Sequence, residues 1–351
     1  MDDSELIRRL PKAELHCHLD GSVRVATLLE LGKAMGSWLP SDDVAGLRTA
    51  MRVPDACTLE AYLSSFSVTL GVLQTADALE RVAYELAEDN AREGVWYLEV
   101  RFAPILNTRL GLSQADVVRA VARGLRRAER ETGIVARIIV CALRQLGPSS
   151  SMEAARFAAE HRGEMVVGFD LAGAEAGNAA GLHAPAFRYA RESGLSCTCH
   201  AGEADGPESI RQAIELCGAT RIGHGTRLID DAALVASVAE RGIPLEVCLT
   251  SNVQTGATPS YAAHPLGAYV RAGVPTVLCT DNRLMSDTTV TAEYGHAHSS
   301  QGLTVRELVA IARAGYAYAF LPEAERDALL ARFDAAAAGI TGQRGPQGGQ
   351  S

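Results

Sequence analysis

The sequence predicts an α/β chain folded as a (β/α)₈ TIM barrel, with a helical insertion after strand 1 and extra C-terminal helices. Three observations predict it. Eight short β-rich runs recur along the 351 residues. Segments of helical character separate them, which is the signature of βαβ units and a parallel sheet. Histidine, aspartate and glutamate fall where several runs end, and in a barrel those ends converge on one mouth. A doubly wound sheet is the alternative that the pattern leaves open.

The β-rich runs are 13–19, 95–102, 135–143, 165–171, 195–200, 221–224, 245–249 and 276–280. The helical segments between them include 77–93, 113–132, 152–161, 185–192, 207–216, 232–241 and 264–271. Gly94, Gly133, Gly194, Gly242 and Gly273 each stand between a helix and a strand, where a C-cap glycine is expected. The first two strands are about 75 residues apart, too long for one βα unit. Extra helices are expected there at 24–35 and 58–73, rising from the rim that carries active sites. Leu59, Tyr62, Leu63 and Phe66 have helical spacing and are placed to cover the mouth. Plain packing of the insertion explains Leu59 and Leu63 equally well. Helices near 305–320 and 323–338 follow the last strand. The expected organisation is one barrel domain, 1–338, with a Gly- and Gln-rich tail, 339–351, that is disordered.

Composition removes several function classes. The net charge is −9 with no basic stripe, which argues against nucleic-acid binding. No apolar run reaches 18 residues, and the chain opens with Asp2, Asp3 and Glu5. Neither a membrane span nor a signal peptide is expected, and the location is read as cytoplasmic. Eight cysteines in a chain this long make no disulfide framework. Cys141, Cys197, Cys248 and Cys279 lie in apolar runs and read as core, as does Cys199 beside Cys197. Only Lys12 and Lys33 are lysines. Neither ends a strand, so Schiff-base chemistry is excluded. Residues 166–171 hold none, which excludes a binuclear site bridged by a modified lysine. No phosphate loop or dinucleotide fingerprint occurs, nor does the zinc-deaminase signature of His-x-Glu with Pro-Cys-x-x-Cys. The sequence leaves the oligomeric state open.

The chemistry starts at His16 and His18. Two apart on a strand, they project to one face, as two imidazole ligands must. Cys17 and Leu19 face the other way, into packing. His200, His224 and Asp281 end the fifth, sixth and eighth runs. Such groups at the ends of apolar strands are costly without a partner. One cation shared by three histidines and an aspartate would supply it. Nitrogen and oxygen ligands suit a catalytic zinc, and other first-row metals also fit. The remaining histidines are expected elsewhere. His296 and His298 fall on a helix, where residues two apart point about 200° apart. His161 and His183 read as solvated, and His264 as a helix start.

The segments LPKAELHCHLDGS (10–22), YLEVRFAP (97–104), DLAGAE (170–175), HAGE (200–203), IGHG (222–225), SNVQTG (251–256) and Thr280-Asp281 together resemble the adenosine deaminase family of metal-dependent amidohydrolases. The resemblance runs from about residue 8 to 335, in family order. It implies a (β/α)₈ barrel with one zinc ion (Zn2+) held by His16, His18, His200 and Asp281. The zinc would activate a water for attack at C6 of a purine. Glu203 would protonate ring N1, and His224 would orient the attacking oxygen. Gly173 would offer backbone to the purine, and Asp20 would hold the ribose 5′-hydroxyl beside His18. Tyr62 and Phe66 fall at lid aromatics. One departure stands out: Asn282 replaces a common second Asp that contacts N7, although Arg283-Leu284-Met285-Ser286 resembles a bacterial subgroup of the family.

The implied reaction is hydrolysis of adenosine and 2′-deoxyadenosine to inosine and 2′-deoxyinosine, with release of ammonia and a small-molecule purine nucleoside as the only partner. The alternative substrates are adenine, aminodeoxyfutalosine or a modified purine nucleoside. A reading from another class is a non-catalytic nucleoside-binding barrel.

Overall fold

The computed structural model describes residues 2–342. Its eight strands are β1 (Lys12–His18), β2 (Val95–Phe102), β3 (Val135–Leu143), β4 (Val166–Ala172), β5 (Ser196–Ala201), β6 (Arg221–His224), β7 (Leu245–Val247) and β8 (Thr276–Leu278). They pair in parallel and in sequence order, β1 through β8. Beyond β8 the chain returns to β1. His18 N donates to Asp281 O at 2.7 Å, and Asp281 N donates to His16 O at 2.8 Å. This Cys17–Asp281 bridge joins the two ends. The barrel reading holds, and the doubly wound alternative does not.

The strands are covered on both faces, which is why they read as apolar runs rather than alternating ones. Leu15, Val100, Ile138, Leu171, Ile222 and Leu245 are all fully buried. Helices surround them and pack closely. Where Gln114–Thr132 crosses Ala76–Arg92, a Cβ on Gly124 would come within 2.2 Å of the Glu80 carbonyl oxygen. Gly133 ends the former helix at φ 77°, a conformation that favours glycine.

The insertion between β1 and β2 is richer than expected. It holds five helices: Val25–Met35, Val44–Met51, Leu59–Ser64, Phe66–Val72 and Ala76–Arg92. The expected single helix over 58–73 breaks at Ser65. There Ser65 N bonds Tyr62 O and Val68 N bonds Ser65 O, so i→i+3 bonds replace the helical pattern at the joint. Asp3–Arg9 and Val44–Met51 were not expected, because each is too short to show apolar periodicity. Their caps were readable: Asp2 accepts from Glu5 N, and Asp43 from Gly46 N. The helix expected over 152–161 begins earlier, at Gly147, with Pro148 in its first turn.

β7 and β8 end two residues earlier than expected, because the chain leaves each strand at once to enter the site. The last helix, Glu323–Gly342, runs past the expected boundary at 338. Residues 339–342 are therefore helical rather than disordered, and 343–351 lie outside the described residues. Among the described residues, no helix is long and apolar enough to cross a membrane.

Candidate active site and metal centre

Each polar residue singled out in the sequence sits at the barrel mouth. One cavity there is lined by His18, Asp20, Tyr62, Phe66, Gly173, His200, Glu203, His224, Asp281 and Asn282. His16 lies behind them, fully buried. Leu59, Leu63 and Leu70 from the insertion cover one side. The Tyr62 and Phe66 rings sit 6.2 Å apart at 51°, and Tyr62 OH is 3.1 Å from Ser286 Oγ.

The ligand atoms are oriented from outside. His16 Nδ1 lies 2.9 Å from Glu246 Oε2, and His200 Nδ1 lies 3.0 Å from Asp170 Oδ2. Both carboxylates are ionised. Burial works against Glu246, but Arg101, Arg221 and His16 hold it well below the usual carboxylate range. Burial likewise opposes Asp170, and His200 and Arg101 hold it down. Each carboxylate accepts a hydrogen bond from Nδ1–H of its histidine, so the neutral ring presents Nε2 as a lone pair. Those lone pairs converge. His18 Nε2 and His200 Nε2 are 3.2 Å apart, and His16 Nε2 and His18 Nε2 each lie 3.4 Å from Asp281 Oδ1. Ligand atoms on a tetrahedral metal at 2.0–2.1 Å stand about 3.3 Å apart, so this spacing fits one ion. His16 Nε2 is buried with no hydrogen-bond partner. An ion would supply one.

His16, His200, His224 and Asp281 also form a group whose ligand atoms all lie within 4.8 Å of one another. A metal can bind at this buried cluster. Burial opposes ionisation of Asp281, but His16 and the other histidines around it hold it well below its usual range. Ser251 Oγ donates to its other oxygen at 2.6 Å.

Glu203 follows β5 on a turn fixed by another carboxylate. Glu175 accepts from the backbone N–H groups of Gly202, Glu203, Ala204 and Asp205 at 2.6–3.1 Å, and from Ser209 Oγ at 2.5 Å. Burial, then the charges of Asp281 and Glu175, push the Glu203 carboxyl well above its ordinary range. His224 Nε2 lies 3.5 Å from Glu203 Oε2. Burial, then His16, hold the His224 imidazole well below its ordinary range, so it is neutral.

Three residues frame the ligand side. Burial pushes Asp20 up to about 7, and its Oδ1 has no partner. Asn282 Oδ1 is likewise buried without one. It sits so close to Gly21 that a Cβ there would meet it at 1.8 Å. Gly173 adopts φ 94°, and a Cβ on it would strike Gln145 Oε1 at 2.2 Å. A side chain at 173 would be strained as well as obstructive.

The other histidines lie apart from this group. His296 stacks on Tyr261 at 4.0 Å, and His298 Nδ1 lies 2.8 Å from Leu303 O. His183 corrects an expectation: it is buried, not solvated, with Nδ1 2.7 Å from Ser151 Oγ. His161 is half-buried against Phe157. His264 stands before its helix, as expected, but is buried against Asn252. Sequence reasoning gave no role to Arg101, Asp170, Glu175, Glu246, Ser251 or Asn252. Charge inside apolar strand runs was the available signal for Arg101, Asp170 and Glu246, since an unpaired charge there is prohibitive.

Residues 11–336 match the adenosine deaminase family model. The chain belongs to the adenosine deaminase family. It is a hydrolytic deaminase. It is 43% identical over 340 residues to adenosine deaminase 1 of Streptomyces coelicolor, covering 92% of this chain and 86% of that one. It is 41% identical over 318 residues to a probable adenosine deaminase of Dictyostelium discoideum, of whose length it spans only 41%, with 90% of this chain aligned. Among solved structures, an adenine deaminase from Arthrobacter aurescens superposes with TM-score 0.86 at 26% identity, covering 93% of this chain and 98% of that one. An amidohydrolase from Burkhoderia ambifaria with bound Zn gives 0.84 at 25% identity, covering 98% and 96%. The Arabidopsis N6-mAMP deaminase gives 0.84 at 30%, covering 94% and 99%.

In this deaminase, Asp170 pairs with both Arg101 and His200. Asp170→Ala leaves a guanidinium buried without one of its partners. Chemical denaturation should show a loss of about 3–5 kcal/mol. A loss under about 1 kcal/mol would mean that the pair carries no weight.

Proposed function

We propose that this deaminase is a cytoplasmic enzyme that hydrolyses adenosine and 2′-deoxyadenosine at C6, releasing ammonia, with one zinc ion held by His16, His18, His200 and Asp281. The observation that carries the reading is Glu203: a buried carboxyl kept protonated beside converging histidine lone pairs, in a cavity covered by apolar side chains. The eight unpaired thiols fit a reducing compartment.

The zinc, when bound, would supply a Lewis acid that makes water nucleophilic near neutral pH. Glu203 gives its proton to purine N1, which draws electron density from C6. A carboxyl held above its usual range is an acid at neutral pH and so suits that task. Neutral His224 orients the attacking oxygen and stabilises the charge that grows on it. The Gly173 backbone meets the purine, and Tyr62 and Phe66 cover it. Asp20 Oδ1 accepts the ribose 5′-hydroxyl, and Asn282 donates its amide to N7.

The lining chooses among substrates. It contains no Lys or Arg, so a 5′-phosphate would find no cation and would meet Asp20 instead. This favours nucleosides over the nucleotide class of the Arabidopsis relative. The Arthrobacter relative makes free adenine the second reading, and Asp20 is the residue that decides it.

Elemental analysis should find one zinc per chain. Two equivalents, or full activity in metal-free protein, would defeat the assignment. His18→Ala should lose metal and turnover together, whereas His224→Ala should keep the metal. Glu203→Gln should keep metal and nucleoside binding and lose about 10²–10⁴-fold in kcat. Retention within tenfold would remove Glu203 from its role.

In an aminopurine panel read by ammonia release, adenosine should exceed adenine by about 10–150-fold, the worth of one hydrogen bond to a charged group. AMP should be poorer still. Equal rates on adenine would move the assignment to an adenine deaminase.

Asn282 carries an NH₂ donor at every pH, so it can meet the N7 acceptor without being protonated. Asn282→Ala should cost about 1–3 kcal/mol in kcat/KM. The analogue 7-deazaadenosine lacks that acceptor and should be a clearly worse substrate. Equal efficiency on it would show that Asn282 serves only to brace Asp281.

A further inference from the structure

We propose that Asn252 and His264 are positioning residues that lock the tautomer of His224, so that its Nε2 carries the proton and faces the pocket. The inference deepens, and rests on, the role given to His224 above. It begins at a donor that cannot change, the backbone N–H of Leu266, which lies 3.1 Å from His264 Nδ1. A ring nitrogen that accepts bears no proton, so neutral His264 must carry its proton on Nε2. Burial keeps His264 neutral, holding it down to about 3.

The next link follows. His264 Nε2 donates to Asn252 Oδ1 at 3.1 Å, and Thr226 Oγ1 donates to the same oxygen at 3.0 Å. These two donors decide which end of the amide is oxygen. Turning the amide over would set its NH₂ against the N–H of His264, two donors with no acceptor between them. Asn252 Nδ2 therefore faces His224 and donates to Nδ1 at 3.0 Å. His224 Nδ1 accepts, so its proton sits on Nε2, the atom 3.5 Å from Glu203 Oε2. All three side chains are buried, so water offers no competing partner.

The arrangement separates two kinds of histidine at one mouth. Glu246 and Asp170 accept from Nδ1–H of His16 and His200, so that Nε2 is left as a lone pair that a metal can use. Asn252 does the reverse to His224 and leaves Nε2–H as a donor. His224 thus stands among the ligand atoms yet is kept from ligating, because a metal needs the lone pair. It remains a hydrogen-bond donor at the place where negative charge grows.

The test is nitrogen NMR of ¹⁵N-histidine-labelled, metal-loaded protein at neutral pH, with His224 assigned by its loss in His224→Ala. The wild type should show Nε2–H. Asn252→Asp replaces the donor with a carboxylate of the same shape, so His224 should switch to Nδ1–H, and kcat should fall by about 10²–10⁴-fold, as wrong-tautomer variants of hydrolases do. Asn252→Ala imposes neither tautomer and should lose less. A merely structural role predicts the opposite order, since Asp fills the space of Asn and Ala does not. Nδ1–H in the wild type, or a higher kcat for Asn252→Asp than for Asn252→Ala, overturns the inference. Full turnover in His224→Ala would overturn the role of His224 and with it the function of the relay; the tautomer seen by NMR is independent of that result. The wild-type spectrum needs no variant, so it stands even if Asn252→Asp fails to fold.

Discussion

Arg101 is fully buried inside the barrel, and its two terminal nitrogens donate to Asp170 and Glu246 at 2.9 and 2.8 Å. Each of these carboxylates orients one histidine at the mouth. Glu246 also takes Arg221 Nε at 2.7 Å and Thr198 Oγ1 at 3.0 Å, and Arg221 pairs in turn with Glu99. Stripping water from any one of these ions costs several kcal/mol, and only the complete set offsets it. The network therefore forms together or not at all, and β1, β2, β4, β5, β6 and β7 are tied to one another through it. Its charge is also unbalanced. With the histidines neutral, the four carboxylates of Asp170, Glu246, Glu99 and Asp281 exceed the guanidinium groups of Arg101 and Arg221 by two charges. A divalent cation among the histidines would balance them, so the network that orients the ligands also favours the ion.

The face shared by His16 and His18, and the strand ends at His200, His224 and Asp281, were legible because a barrel brings strand ends together whatever the details of the loops. The supporting residues were not. Arg101, Asp170 and Glu246 lie within β-rich runs, where periodicity reports only that a strand is buried and not which buried charges meet across it. Those meetings depend on register between strands far apart in the chain: Arg101 and Glu246 are 145 positions apart. His183 failed for the same reason, since its partner Ser151 comes from a different helix. Asp3–Arg9 and Val44–Met51 were missed because seven or eight residues give too few turns for an apolar stripe to register.

Two of the five non-glycine residues with positive φ among the described residues stand at the mouth. His224 has φ 63° and Asp281 has φ 59°, conformations that side-chain-bearing residues seldom adopt. Each such residue costs about 1–3 kcal/mol. The geometry explains why the cost is tolerated. A strand that continued straight would carry its end past the mouth. The left-handed residue turns the chain across it, and at Asp281 the backbone is held there by its two hydrogen bonds to β1. No residue type announces this in a sequence, because the conformation is imposed by the closure of the barrel.

Four buried glutamates near the mouth show how one residue type is assigned different work. Glu14 accepts from His16 N and from both the backbone and the hydroxyl of Thr280, and so ties β1 to the end of β8. Glu175 accepts five donors from the turn after β5, and Glu246 accepts two guanidinium groups, a histidine and a threonine. Glu175 and Glu246 have their lone-pair sites filled by these donors, whereas Glu14 accepts only three and burial pushes it up to about 7. Glu203 differs. Its side chain lies near Thr255 and 3.5 Å from His224, and its charged form is opposed by burial, then by Asp281 and Glu175. The backbone donors of the turn that carries Glu203 go to Glu175. Glu175 therefore does two things to the acid: it fixes where Glu203 stands, and it helps keep the proton on it. The carboxyl proposed as the acid is thus the one of the four with the fewest hydrogen-bond partners.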